Sequence, residues 1–252
     1  MRAPLRLTLL ILLLLLPLHT MADWQRIEAL KNKVGTETPQ TSGLQIGLPL
    51  VADDGASVPL KVTFNGTLAA DEYISGLYVF ASQNPRAEVI EFAFSDAIPR
   101  IEVSTRIRLS ETQTVYVLAK SNQGNLWLAN QDVRVTVSGC LMTDEDGTVT
   151  EAQMSQPRIA LPRNPKAGEA AELRTMINHP METGFREDSQ GNLIPQQLIE
   201  SLQVSRGDET LFSVTFNTGT SANPFVAFFL DQFDDLTFTW TDQQGQQLSE
   251  TR

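Results

Sequence analysis

Reactive side chains are scarce in this 252-residue sequence. Its single cysteine, Cys140, lies in RVTVSGCLMTDEDG (residues 134–147), where an alternating strand pattern ends and an acidic run begins. A thiol can attack electrophilic sulfur or carbon, or hold an intermediate as a covalent adduct. An unperturbed thiol, with a pKa of about 8.5, is only a few per cent thiolate at pH 7. Asp144, Glu145 and Asp146 would raise that pKa further if they sit close. Cys140 therefore has little nearby to activate it and reads as a group on which another protein acts. Its bland alternative is a small buried hydrophobe, the commonest fate of a free cysteine. Against that, the alternation of Val133, Val135 and Val137 points position 139 inward and position 140 outward.

His179, in NHPMETGFREDSQGNLIP, is either a strand-end residue ahead of a proline or a general base. A hydrolase built on Cys140 and His179 would need a third, orienting group, and the sequence offers none. There is no HExxH, no paired CxxC and no clustered His/Asp set, so no metal site of the usual transition-metal kinds is expected. No glycine-rich phosphate loop opens a helix, and no cofactor is expected. Aspartates 53, 54, 144, 146, 234 and 235 lack EF-hand spacing and read as solvated turns. Met176 and Met181 read as core or edge residues rather than copper ligands. Asn65-Gly66-Thr67 matches a glycosylation sequon but reads as a strand-end turn.

The elements that must carry these residues begin behind an export signal. Arg2 and Arg6 precede an apolar run over residues 7–18, and TMA at 20–22 supplies a cleavage site, so residues 1–22 read as a secretory signal peptide. The run is too short to span a bilayer, which takes about 20 residues. The reading is thus an exported, periplasmic protein with no membrane partner. Cleavage removes two arginines and no acids, taking the net charge from -11 to -13. Such a chain repels nucleic acid and favours basic partners. With one cysteine it has no internal disulfide, so stability must come from packed cores.

Within residues 23–43, DWQRIEALKNK spaces Trp24, Ile27 and Leu30 as a short amphipathic helix, followed by a polar loop. Period-two patterning then takes over: Leu60, Val62 and Phe64, then Ile101, Val103, Ile107 and Leu109. About seven such strands over residues 44–140 predict an antiparallel β-sandwich. Residues 141–167, acidic and then proline-rich, read as a linker. Over 168–252 the alternation returns, with a hairpin turning at SRGDET and with Leu236, Phe238 and Trp240 on one face. The expectation is an all-β chain of two Ig-like antiparallel β-sandwich domains joined by a linker.

Long collinear stretches resemble a known family. IGLPLVADDGASVPLKVTF, LYVFASQNPRAEVIEFAF, IEVSTRIRLSETQTVYVLAKS and VRVTVSGC are similar to SoxY; INHPMETGFREDSQGNLIP, NPFVAFFL and FTWTDQQG are similar to SoxZ. The chain thus resembles a fused SoxYZ sulfur carrier of bacterial thiosulfate oxidation. The resemblance implies a non-enzymatic carrier whose covalent attachment point is Cys140, with Gly139 as part of a flexible arm. It also implies partners: haem-containing SoxXA to conjugate thiosulfate, and SoxB and SoxCD types to process the adduct. The family arm reads Gly-Gly-Cys-Gly-Gly at a free chain end, whereas here Ser138 stands for the first glycine, Leu141 and Met142 follow the cysteine, and the chain continues. Fused carriers associated with quinoprotein dehydrogenases give the alternative: an accessory or binding module with a different cargo or none.

Overall fold

The computed structural model describes residues 23–138, 154–166, 168–188 and 190–252. The helix predicted at the start forms in two pieces, a 3-10 turn at Asp23–Arg26 and α1 at Glu28–Val34, which stops at Gly35 with a positive φ of 66°. Its apolar stripe of Ile27, Leu30 and Val34 packs on Phe80, Tyr116, Leu118 and Leu126. Covering the outer face of the sheet in this way explains the near-continuous burial along Gln113–Ser121. Val115, Val117 and Ala119 face the main core while Tyr116 and Leu118 face the helix.

Fifteen strands follow among the described residues. In the first half they are β1 (Leu44–Gly47), β2 (Val51–Ala52), β3 (Val58–Phe64), β4 (Ile74–Ala81), β5 (Glu88–Phe94), β6 (Glu102–Ile107), β7 (Gln113–Ser121) and β8 (Leu126–Val135). The second half holds β9 (Arg158–Ala160), β10 (Ala171–Met176), β11 (Ile199–Arg206), β12 (Glu209–Phe216), β13 (Phe225–Leu230), β14 (Leu236–Asp242) and β15 (Gln247–Thr251). The SRGDET hairpin forms as expected, with β11 and β12 turning through Gly207 at a φ of 55°. Leu236, Phe238 and Trp240 are fully buried on one face of β14.

Each half is a two-layer β-sandwich, antiparallel throughout except where the short β2 joins β8 in parallel, and the halves are stitched edge to edge in both layers. One sheet runs β1-β3-β6-β13-β10-β9 and the other β15-β14-β11-β12-β5-β4-β7-β8-β2. The seams are β6 with β13 and β5 with β12. Strand edges that would otherwise expose unpaired backbone groups are thereby satisfied by the other half. Phe92 and Phe94 of β5 reach across the seam to Phe212, which stacks on Phe228 at a centroid distance of 4.1 Å. A single apolar core runs through both halves.

One element falls inside the stretch read as a linker. Arg158–Ala160 forms the edge strand β9 on β10, and Met154 before it is buried in the core. A strand of three residues is too short for an alternating pattern to register in sequence, and only the exposed edge of β10 gives it a partner. Residues 141–153 and 167 of the same stretch, with 139–140 just before it, lie outside the described residues.

Strand registers bring one set of loops to one end of the sandwich. Val58 pairs with Ile107, and Met176 with both Phe225 and Arg158. In the other sheet, Gln113 pairs with Val133, Phe216 with Ile90, and Ile199 with Asp242. The end of β8, the loops at 53–57, 108–112 and 217–224, and the long β10–β11 connection therefore gather at the same end.

Candidate functional site

Strand β8 carries the chain towards the cysteine and leaves the core as it does so. Val133 is buried, Val135 is half-buried, and Val137 is 50% exposed. Beyond the sheet proper the backbone is held by β2 and the loop after it. The Arg134 N–H donates to the Leu50 carbonyl at 3.0 Å, the Thr136 N–H to the Ala52 carbonyl at 3.0 Å, and the Gly55 N–H to the Val137 carbonyl at 2.8 Å. Thr136 Oγ1 donates to the Asp53 carbonyl at 2.8 Å, and Thr112 Oγ1 accepts the Val135 N–H at 3.1 Å. Asp54, expected in a turn, folds this loop by accepting the Ala56 N–H at 2.7 Å. Gly139 and Cys140, the two residues singled out from sequence, lie outside the described residues; Val137, three positions before the thiol, is anchored as above.

The second half braces that anchor. The Leu109 N–H donates to the Gly55 carbonyl at 2.8 Å, and the Arg108 N–H to the Gly219 carbonyl at 2.7 Å. Ser221 Oγ donates to the Ala56 carbonyl. Gly219 has no room for a side chain: a Cβ there would come within 2.9 Å of a Val89 methyl and 3.1 Å of the Val89 Cα. The 217–224 loop thus lies flat on β5 of the first half, and Thr220 Oγ1 adds a bond to the Val89 carbonyl at 3.2 Å.

His179 belongs to this bracket. It is buried, its Nδ1 accepts the Met181 N–H at 3.1 Å, and its backbone N–H donates to Asn223 Oδ1 at 3.0 Å. Burial holds its pKa below the usual value, with the Asp242 carboxylate opposing the shift. Met181, fully buried, has a φ of 53°, unusual for a residue with a side chain, and its Sδ accepts the Ile199 N–H at 3.2 Å. Its carbonyl receives Arg108 Nη1 of the first half at 2.6 Å, and the Pro180 carbonyl receives Arg108 Nη2 at 2.9 Å. Glu182 accepts the Thr183 and Gly184 N–H groups on Oε1, and Arg186 donates Nε to its Oε2 at 3.0 Å.

The NHPMETG segment is therefore a structural clasp between the halves. Sequence reasoning missed Arg108, the residue that closes it. In RIRLSET it looks like one more outward arginine at a strand end, and only the carbonyls of the other half, 72 and 73 positions away, give it a buried partner. Among the described residues no group of three His, Cys, Asp or Glu side chains could hold a metal ion.

Comparison with known proteins matches this geometry to a family. The model for sulfur oxidation protein SoxY matches residues 30–140, and that for sulphur oxidation protein SoxZ matches residues 159–252. This is an all-β, two-domain chain made of sulfur-oxidation modules. The chain belongs to the SoxYZ family, with a SoxY domain followed by a SoxZ domain on one polypeptide. Members of that family are carrier proteins rather than enzymes.

Among solved structures, the sulfur carrier protein SoxY from Chlorobium limicola f thiosulfatophilum is 27% identical, with a TM-score of 0.36; the match covers 46% of this chain and 100% of that one. A superoxide reductase (neelaredoxin) from Ignicoccus hospitalis is 19% identical, with a TM-score of 0.33, over 38% of this chain and 82% of that one. A putative superoxide reductase from Thermotoga maritima is 20% identical, with a TM-score of 0.32, over 37% and 85%. At these scores the structural likenesses carry no argument. Among curated proteins nothing matches the chain.

Proposed function

We propose that this protein is a periplasmic sulfur carrier, in which Cys140 receives a sulfur group, holds it covalently and presents it to successive partner enzymes. The observation that carries the reading is where the SoxY match ends: on residue 140, the lone cysteine, three residues past the last anchored point of β8. Three extended residues reach about 10 Å at most, so the length of the arm on this side sets how deeply the thiol can enter a partner.

Chemically, loading is an oxidation. The Cys140 thiolate and thiosulfate join through a new S–S bond and release two electrons, which a haem partner of SoxXA type accepts. Water then cleaves the terminal S–S bond of the adduct under a SoxB-type enzyme, giving sulfate, two protons and a persulfide on the cysteine. A SoxCD-type enzyme takes electrons from the outer sulfur while water supplies its oxygens, leaving protons and a cysteine S-sulfonate, which a second hydrolysis splits into sulfate and the free thiolate. The carrier needs no catalytic group of its own, consistent with the structural role of His179.

Intact-mass measurement tests this. Protein from the producing cells, or incubated with thiosulfate and its cognate partners, should gain one thiosulfate on Cys140, removable by reductant. No reductant-sensitive adduct under either condition would sink the reading. One observation favours a second reading: Leu141 and Met142 stand where relatives carry glycine. In that reading the chain is an accessory module for a quinoprotein dehydrogenase, and Cys140→Ser keeps full function and partner binding.

A further inference from the structure

The outer face of the six-stranded sheet carries charge of the opposite sign to the chain as a whole. Strand registers lay its side chains out in rows. In one row Lys61 pairs with Ser104, Ser104 with Ala227, and Ala227 with Arg174. In the next, Pro59 pairs with Arg106, and Met176 with both Phe225 and Arg158. The Arg106 guanidinium lies 5.5 Å from the Phe225 ring centroid, which joins the two ends of that row. Arg100, just ahead of β6, lies over Phe229 of the same face at 4.5 Å. Five exposed cations thus meet two acids: Glu102, buried and paired with Lys61 at 2.6 Å and Arg100 at 2.5 Å, and Glu172, paired with Arg174. Arg106 and Arg158 pair with no carboxylate among the described residues. A sheet face that met only solvent should share the chain's excess of acid, 30 acidic against 19 basic side chains. This one reverses it.

We infer that this face is the docking surface for a second protein that presents an acidic patch. Charge complementarity names the occupant: two arginines without a carboxylate, and three more cations beside them, select an anionic surface. The centre of the face supports a protein contact. Ala227 is 3% exposed between half-buried Phe225 and Phe229, and Phe, Met and Arg are side chains enriched in protein interfaces. Stacking on the two rings holds the Arg100 and Arg106 guanidiniums in place, so less rotamer freedom is lost when a partner binds them. The mapped rows span about 24 Å across the six strands and about 14 Å along them, the scale of a transient interface. A nucleic acid or an anionic membrane extends beyond such an area and would meet the acidic remainder of a chain of net charge -11, whereas an acidic patch on a protein can match it in size. The inference goes beyond the carrier reading and holds whether or not Cys140 takes a sulfur group.

Two measurements on the full chain test this. In the producing cells, photo-reactive benzoylphenylalanine replaces Ser104 at the centre of the face or, as a control, Thr239 on the outer face of the other sheet. The Ser104 probe should cross-link to a different protein, identified by mass spectrometry, at a peptide rich in Asp and Glu, and the Thr239 probe should not. Adding Arg106→Glu and Arg158→Glu should cut the yield roughly tenfold. Lys31→Glu with Lys120→Glu, the same change of charge at exposed positions off the face, should leave it within about twofold. In solution, wild-type protein should bind poly-L-glutamate, more weakly as NaCl is added, and the Arg106 and Arg158 variant should bind it roughly tenfold more weakly than wild type. An unchanged melting temperature of that variant excludes unfolding as the cause; if it does not fold, Arg106→Gln with Arg158→Gln replaces it. No Ser104 product, an undiminished yield in the variant, or wild-type protein that ignores polyglutamate overturns the inference. A Ser104 cross-link to this chain's own residues or to a second copy also overturns it, by assigning the face to that occupant. Duplex DNA or phosphatidylglycerol vesicles that bind through the same arginines more tightly than polyglutamate overturn it in favour of nucleic acid or membrane. Failure of Cys140 to take a thiosulfate adduct removes the carrier reading and leaves this inference standing.

Discussion

The corner that leads to Cys140 and the clasp around His179 lie at the same end of the sandwich and could hardly differ more in construction. At the corner, β8 runs out of core: its last backbone bonds are to a surface loop, its valines become progressively exposed, and its side-chain bonds are few. In the clasp, His179, Glu182, Thr183 and Arg108 are all buried and bonded, and a methionine is held at positive φ. Buried polar networks of this kind fix geometry because each unmet bond is costly. A group that must travel into a partner gains from few bonds, and a group that must hold two domains in register gains from many. Titratable side chains gathered at one end of a domain therefore do not by themselves mark its chemistry. Here the residue-rich region is scaffold, and the sparse one leads towards the lone cysteine on which the proposed carrier role rests.

The sharpest break of this contrast is at its two extremes. Cys140→Ser should abolish the reductant-sensitive adduct completely while leaving the melting temperature unchanged within error, as read by intact mass and thermal unfolding. Arg108→Leu should do the reverse. It strips a charged donor from the buried carbonyls of Pro180 and Met181, so it should cost about 2–4 kcal/mol in denaturant unfolding. Alkylation of Cys140 in the folded variant should still proceed. If Arg108→Leu left stability untouched, the clasp would not be what joins the halves.

Much of this organisation was readable from residue order, and the misses have physical causes. The strands with clean alternation, such as Leu236, Phe238 and Trp240, announced their buried faces because one side of each meets the core. The helix stripe of Ile27 and Leu30 was legible for the same reason. The sharing of both sheets between halves was not, because a seam strand such as β5 carries the same pattern whether its neighbour is intramolecular, inter-domain or absent. β9 was too short to register. For the site, a lone cysteine at a strand end and the family resemblance point to Cys140, which lies outside the described residues and on which the proposed function rests. Arg108 and Ser221 gave no local sign, since their bonding partners lie 72 and 165 positions away.

Gly219→Ala should sit below Arg108→Leu in effect. The added methyl meets Val89 from both its stiff branched side chain and its backbone, so the 217–224 loop must lift from β5, at a cost of about 1–3 kcal/mol. Because the Gly219 carbonyl also receives the Arg108 N–H, combining the two substitutions should cost less than their sum. A double-mutant cycle in denaturant measures that shortfall, and strict additivity would mean that loop and clasp act independently.

The smallest expected effect is the pH response of the clasp. Burial depresses the His179 pKa in the folded protein, while the unfolded chain titrates near the ordinary value of about 6.5. The unfolded state then binds the proton first as pH falls. The stability contributed by neutral His179 is complete above about pH 6.5 and declines as the pH drops from there towards the depressed folded value, levelling off below it. Protonation also removes the Nδ1 acceptor of the Met181 N–H, so the loss should fall on the same joint that Arg108 closes. Carboxylates give their own acid loss lower down. Burial pushes the Glu102 pKa up, but the hydrogen bonds and positive charges of Lys61 and Arg100 together outweigh it and hold the carboxyl below its ordinary value, so its contribution disappears only as the pH falls below about 4.5. Unfolding free energies of wild type and His179→Gln between pH 5 and 7 should therefore converge as the pH is lowered, with the wild type showing the steeper slope. Parallel curves would show that His179 is not titrating against folding and that the clasp owes its strength to Arg108 alone.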